Sequence, residues 1–207
     1  MRPDSSHPQR VFDPLLRILH WTLALSIVAL VATSQLAEAF EHGPYEDTLW
    51  NLHILSGYVL SAGLLTRLLW GLVGPASARW RDLWHPSVWK ASLTRLRLPE
   101  DHRAGHDPIA SLAYLFAYAL MALMVATGLG LAASEFQAGP LAAWFGHAGW
   151  LEDMLEDPHE VGFVLLLGFI GLHMAALVFH QFRGERVAQS MVTGKQYFNN
   201  ERGVQHD

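Results

Sequence analysis

Residues 158–179 read PHEVGFVLLLGFIGLHMAALVF, and this stretch decides the fold. From 161 to 179 it contains no Asp, Glu, Lys or Arg. A run of about 18 or more apolar residues is long enough to cross the hydrocarbon core of a membrane. The stretch also carries two histidines, His159 and His173. It therefore predicts a membrane-spanning helix that holds ionisable side chains.

Three further stretches, at 15–33, 54–74 and 109–133, are almost free of charge. Across the chain 51% of residues are hydrophobic and only 16% are charged, which is too few charges for a soluble surface. An unusually apolar soluble bundle is the alternative, but four such runs leave little chain for a soluble fold. The first run is also too long for a signal peptide, so we expect a retained span.

The predicted fold class is an all-α integral membrane protein, a bundle of four transmembrane helices that forms a single domain over 1–207. We expect the helices at about 15–36, 48–73, 108–133 and 158–181, with a loop at 75–106 and a tail at 182–207. The fourth helix is expected to open at Asp157-Pro158, because proline fits the first turn of a helix.

The basic residues lie on one side of this predicted bundle. All 14 Lys and Arg residues fall in the N-terminal tail, in the loop between the second and third spans, in the C-terminal tail or near the ends of spans on that side. The other two loops contain none and are acidic. Because short loops rich in Lys and Arg stay in the cytoplasm, both termini are predicted to be cytoplasmic.

The chain contains no cysteine. This excludes disulfides, thiolate-bound iron–sulfur clusters and covalent attachment of c-type haem. Any haem must therefore be held by histidine and by packing. A net charge of −5 gives no reason to expect a nucleic-acid partner.

Four histidines fall within the predicted spans, where ionisable residues are costly and are functional hypotheses by default. His159 and His173 lie 14 residues apart, which is about 1400° of helix, within about 40° of whole turns. They share one helix face and differ in height by about 21 Å. This predicts that His159 is level with His53 of the second span, and that His173 is level with His20 of the first.

Two level pairs of imidazoles suit two six-coordinate haem irons that transfer electrons. The predicted metal ligands are His20 and His173 for an inner haem, and His53 and His159 for an outer one. For any single histidine the alternative is an ordinary hydrogen-bonded core residue. His180 is a second candidate on the fourth span, but its position would place the inner haem at the membrane edge.

Two arginines are candidate cofactor-binding residues. Arg67 lies 14 residues after His53, so it shares that face at the height of the other pair. Its guanidinium either neutralises haem propionates or snorkels to the membrane interface. Arg17, one turn before His20, has the same two interpretations.

Several segments resemble one known family in the same order along the chain. They are DPLLRILHW at 13–21, NLH at 51–53, RLLWGLVG at 67–74, GHDP at 105–108, PHE at 158–160 and SMVTGK at 190–195. The sequence resembles bacterial di-haem cytochrome b561 and the cytochrome b subunit of membrane-bound nickel–iron hydrogenases. The resemblance covers nearly the whole chain, and its start and tail are closer to the hydrogenase branch.

The resemblance implies two non-covalent haem b groups, with ligands from the first, second and fourth helices. It implies an electron-transfer subunit of a quinone-linked oxidoreductase complex in the bacterial inner membrane. The partners would be membrane lipid, a quinone and a periplasmic redox protein, either a hydrogenase or a c-type cytochrome. Two alternatives remain. One is a free-standing quinone-linked oxidoreductase that acts on a small substrate. The other is a histidine-lined metal transporter or membrane anchor.

Overall fold

The computed structural model describes residues 7–10, 12–75, 78–83, 108–183 and 187–198. Its four long helices are each long and apolar enough to cross a membrane. They are α1 (Pro14–Ala39), α2 (Glu46–Val73), α3 (Pro108–Ser134) and α5 (Gly149–Phe182). The shorter elements are strand β1 (His7–Arg10), a 3-10 turn (Trp80–Leu83), α4 (Ala142–Phe145), α6 (Val187–Thr193) and strand β2 (Lys195–Phe198).

Helix α1 begins where the sequence provides a cap. The Asp13 carboxylate accepts a hydrogen bond from the Leu16 amide at 3.0 Å, and Pro14 occupies the first turn, where its missing N–H costs nothing. Helix α2 instead opens with Glu46 and Asp47, whose charges are favourable at the positive end of the helix dipole.

The prediction that the fourth spanning helix opens at Pro158 is wrong. Helix α5 begins at Gly149, and Pro158 lies inside it. The added turns pack on the end of α3, since a Cβ at Gly130 would lie 2.2 Å from Leu155 Cδ1. Leu151 is buried in the same contact region. This packing accounts for the continuation of the helix through Pro158, although proline is normally found in the first turn of a helix.

The bundle is built from two closely packed pairs of helices. Helix α1 packs along α2, α3 packs along α5, and contacts between α2 and α3 join the pairs. A cluster of Leu23, Leu60, Leu64 and Met121 forms the core at this junction. Within the described residues, α5 has no extended backbone packing against α1 or α2. Only 11% of its apolar window is buried, against 22% to 28% for the other three helices.

The first and last described segments of the chain meet at one end of the bundle. Strands β1 and β2 pair antiparallel, with His7 opposite Phe198 and Arg10 opposite Lys195. This small sheet corrects the all-α prediction in one detail, and the four long apolar helices are confirmed. We call this end the termini face, and the opposite end, with the connections from α1 to α2 and from α3 to α5, the loop face.

Candidate functional site

His53 lies in the loop-face half of α2 and is held by α1. Its Nδ1 is 3.0 Å from the Leu30 carbonyl oxygen and 3.3 Å from the Thr33 hydroxyl. Because a carbonyl only accepts hydrogen bonds, the imidazole donates from Nδ1. The lone pair of this tautomer is therefore on Nε2, the atom left to bind a metal.

His159 of α5 is held in the same way by α3. Its Nδ1 is 2.8 Å from the Thr127 hydroxyl oxygen. The Thr127 hydroxyl itself donates to the Leu123 carbonyl at 2.8 Å, so its oxygen accepts from the imidazole. His159 thus also keeps its lone pair on Nε2. A histidine that binds a metal usually donates its other ring N–H in this manner.

The structure brings the four predicted histidines together as two pairs. His53 and His159 are close enough to interact electrostatically, and so are His20 and His173. We call them the loop-face pair and the termini-face pair. Their use as haem ligands stays a prediction.

The termini-face pair has a different environment from the loop-face pair. The His20 ring meets the Trp21 ring edge to face, with centroids 5.6 Å apart. The His173 ring is stacked on Phe169 at 6.2 Å, with 10° between the planes. In the described part of the chain, no hydrogen bond is made by either imidazole.

Arg67 is buried in the termini-face half of the bundle, with only 5% of its surface exposed. Its guanidinium carbon lies 4.8 Å from the Trp80 ring centroid and 5.3 Å from that of Tyr118. Its Nε and Nη1 atoms have no hydrogen-bond partner, and no described carboxylate forms a salt bridge with it. A snorkelling side chain would expose its charge, so this burial contradicts that interpretation.

Arg17 makes contacts that the sequence did not predict. Its Nε donates to the Met191 carbonyl at 3.3 Å, and its Nη2 donates to the Val192 carbonyl. The Trp21 indole N–H also donates to Met191 at 3.3 Å. A cation is favourable at the C-terminal end of a helix, where the last carbonyls lack partners. Arg17 therefore holds α6 against the start of α1.

The small residues near the histidines have different roles. A Cβ at Gly128 would lie 3.1 Å from His159 Cε1, so this glycine lets α3 approach the imidazole. A Cβ at Gly162 would meet Met124 Sδ at 2.6 Å, which is helix packing. A Cβ at Gly57 would have only Leu30 Cδ2, at 4.0 Å, beside it. Sequence reasoning missed Thr127 and Gly128, because neither is adjacent to a histidine in the sequence.

The described residues contain no group of three or more His, Cys, Asp or Glu side chains that could hold a metal ion. Histidine pairs match a haem iron, whose porphyrin supplies the other four ligands. In each pair one histidine belongs to α5 and the other to α1 or α2, and within the described residues α5 has no extended backbone packing against either of those helices.

Most of the chain matches one family and several related proteins. The family model described as prokaryotic cytochrome b561 matches residues 11–194. The chain belongs to the prokaryotic cytochrome b561 family. It is 30% identical to the "Probable Ni/Fe-hydrogenase B-type cytochrome subunit" of Azotobacter chroococcum mcd 1, over 79% of this chain and 78% of that one. It is 27% identical to the "Probable Ni/Fe-hydrogenase 1 B-type cytochrome subunit" of Escherichia coli (strain K12), over 89% and 88%.

Membership of the cytochrome b561 family makes this chain a multi-pass membrane protein and implies haem b. The residues present fit that group. Two imidazoles have Nε2 free, and the buried Arg67 guanidinium has two unpartnered nitrogens, as expected of a cation that faces an absent anion. Haem propionates are anions of the right kind.

Proposed function

We propose that this chain is the di-haem electron-transfer subunit of a quinone-linked hydrogenase complex. The observation that carries the proposal is the hydrogen bonding of the loop-face pair, since Nδ1 of both His53 and His159 bonds to a neighbouring helix and Nε2 remains for a metal. The same arrangement occurs on α2 and on α5, so the two paired histidines each keep one ring nitrogen for a shared ligand. The termini-face pair, His20 and His173, provides the second site.

Each bound haem would supply one-electron redox chemistry, and the chain's residues would hold it. The four imidazoles would hold the two irons as one histidine pair for each, an arrangement suited to electron transfer and not to oxygen binding. Arg67 pairs with a propionate of the haem at the termini face, because its buried charge otherwise lacks a counter-ion among the described residues. Arg17 is not needed for this role, since two of its nitrogens already bind carbonyls of α6.

The orientation in the membrane follows from the charges. Among the described residues, the termini face carries the basic residues Arg10, Arg17, Arg79, Arg81, Arg183 and Lys195. We therefore assign this face to the cytoplasm of the bacterial inner membrane. The loop face is then periplasmic, and its acidic residues can steer a partner with a basic patch. Two relatives are named as subunits of hydrogenases, which favours a hydrogenase over a c-type cytochrome as this partner.

A groove of about 380 Å³ on the lipid side of α1 is the candidate quinone site. Its lining residues are Pro14, Arg17, Ile18, Trp21, Thr22 and Leu25. The Trp21 ring belongs to the groove and also contacts the His20 ring, so an occupant would lie one aromatic ring away from a haem ligand. Quinones combine an apolar tail with polar carbonyls, which suits a lipid-open groove with a polar end.

The test is purification of the full chain from its native membrane in mild detergent. We expect the absorption bands of six-coordinate haem b, two haems per chain and a copurifying hydrogenase. Absence of haem would exclude the proposal and favour a metal transporter or an anchor. Two haems without any stoichiometric partner would instead support a free-standing quinone-linked oxidoreductase.

A further inference from the structure

The two histidine pairs differ at the ring nitrogen that does not bind metal. In the loop-face pair, His53 donates to the Leu30 carbonyl and His159 donates to the Thr127 hydroxyl. Only 3% of the surface of Thr127 is exposed, so water does not compete for its hydrogen bond with His159. In the termini-face pair the described neighbours are aromatic rings, which accept no comparable hydrogen bond.

This difference has a predictable effect on a haem iron. Donation from Nδ1 to a strong acceptor makes the imidazole more basic at Nε2. A more basic ligand stabilises Fe(III) relative to Fe(II), so it lowers the reduction potential, and hydrogen bonding around the ligands is one of the protein's means of setting that potential. The hydrogen bonds of His53 and His159 therefore act to lower the potential at the loop face.

Arg67 acts in the opposite direction at the termini face. Its charge is buried between Trp80 and Tyr118, and charges inside a protein are screened much less than in water. A nearby cation stabilises the reduced iron, which carries one positive charge less than the oxidised iron. Arg67 therefore raises the potential of the haem held by His20 and His173.

We propose that Thr127 is a positioning residue that, together with Arg67, orders the two potentials, the loop-face haem lying below the termini-face haem. This rests on the proposed function, which supplies the two haems. With both haems bound, this order would favour the transfer of one electron at a time from the loop face to the termini face. The hydrogenase of the proposed function would supply the electrons, and two electrons with two protons from the aqueous phase would convert a quinone to a quinol.

The experiment is a potentiometric titration of the purified full chain, followed through the haem absorption bands. Thr127→Val keeps the shape of the side chain and removes the hydroxyl. We expect the lower-potential component to move upward while the higher one stays in place. Thr127→Ser retains the hydroxyl and should keep the wild-type potentials. Thr66→Val is the matched control, because the Thr66 hydroxyl donates only to the Ala62 carbonyl of its own helix.

If Thr127→Val loses haem, loss of the lower-potential component alone still supports the order, and loss of the higher-potential component overturns it. Arg67→Gln provides a second, independent test. Arg67→Gln should move only the higher-potential component, and it should move it downward. The inference is overturned if Thr127→Val leaves both potentials unchanged, if Arg67→Gln moves the lower component, or if the wild-type components coincide. A wild-type preparation with fewer than two haems overturns the proposed function instead.

Discussion

The loop-face and termini-face halves of the bundle hold their histidines by different means. At the loop face, His53 and His159 are each fixed by a hydrogen bond that the imidazole donates to a neighbouring helix, at 3.0 Å and 2.8 Å. At the termini face, His20 and His173 are in contact with aromatic rings, and the polar element is the buried Arg67. One half orients its imidazoles through hydrogen bonds within the protein. The other offers a charge that only a bound anion would neutralise.

The two histidine pairs repeat the same residue type at two heights of the bundle, but their surroundings differ. The two sites are therefore not equivalent. Thr33 and Thr127 each lie one or two turns from the loop-face end of their helix, and each hydroxyl also bonds to a carbonyl of its own helix. A hydroxyl anchored in this way keeps its oxygen available to an imidazole. In the termini-face half, the Trp80 indole donates to the Leu68 carbonyl at 3.0 Å and is thereby held over Arg67.

The largest expected effect comes from removing one histidine at a time. His53→Ala or His159→Ala should remove the loop-face haem, and His20→Ala or His173→Ala the termini-face haem, because an iron that loses one axial imidazole loses half of its protein ligands. The measurement is the haem-to-protein ratio together with a redox titration. If His20→Ala and His53→Ala abolished the same redox component, the division into two pairs would be wrong.

A smaller effect is expected from Gly128→Ala, which affects only the loop face. The new Cβ would lie 3.1 Å from His159 Cε1, so the imidazole must shift and its 2.8 Å hydrogen bond to Thr127 must weaken. Loss of such a supporting contact typically costs about tenfold or more in affinity for the metal group. Haem retention during dilution or competition with a haem-binding protein measures this.

Gly168→Ala is the matched control for that variant. It adds a methyl group to the same pair of helices, and a Cβ at Gly168 has no atom within 4 Å. Both haems should be retained as in the wild type. Equal haem loss in the two variants would mean that the packed pair of α3 and α5 tolerates no added methyl group, and Gly128 would then have no special relation to His159.

The sequence was sufficient to predict the four long helices, because backbone groups in lipid must be hydrogen-bonded within their own helix, and this requires long apolar runs. The 14-residue step in the fourth span sets both face and height, and it predicts the same two pairs of histidines that interact electrostatically in the structure, while their role as haem ligands stays a prediction. The family match is consistent with this pairing and implies the cofactor, haem b.

The remaining features depend on contacts between residues far apart in the chain. The hydroxyl of Thr127 reaches an imidazole 32 residues away, and the Arg17 guanidinium reaches carbonyls about 174 residues away. From the sequence alone, a threonine that hydrogen-bonds to a histidine of another helix cannot be distinguished from a threonine that bonds only to its own helix. The start of α5 was missed because Pro158 is a strong start signal locally, and the packing of Leu155 on Gly130 outweighs it.

A third change tests whether the termini-face pair depends on the chain ends. Arg17→Gln replaces the charged guanidinium by a shorter, neutral amide that cannot hold the Met191 and Val192 carbonyls together, so α6 should detach more often from the start of α1. Limited proteolysis should then cleave the C-terminal segment several-fold faster, while haem content and both potentials stay unchanged. Trp21→Phe, which loses one hydrogen bond to Met191, should give a smaller increase. Loss of the termini-face haem in Arg17→Gln would show that Arg17 supports the cofactor directly.

The smallest expected effect is at the loop face, where Glu135 follows the end of α3 outside the membrane. Partial burial raises the pKa of its carboxyl above the ordinary value of 4.5, and the nearby Glu152 and Glu156 raise it further. A raised pKa means that the folded state binds the proton more tightly than the unfolded state. Stability should therefore increase as the pH falls from neutral through the raised pKa, and it should stop increasing below the ordinary pKa.

Glu135→Gln should be slightly more stable than the wild type at neutral pH and should flatten this dependence, as measured by thermal unfolding in detergent. Glu38→Gln, in the other loop of the same face, is the control, and an equal flattening there would assign the effect to the general charge of the loop face.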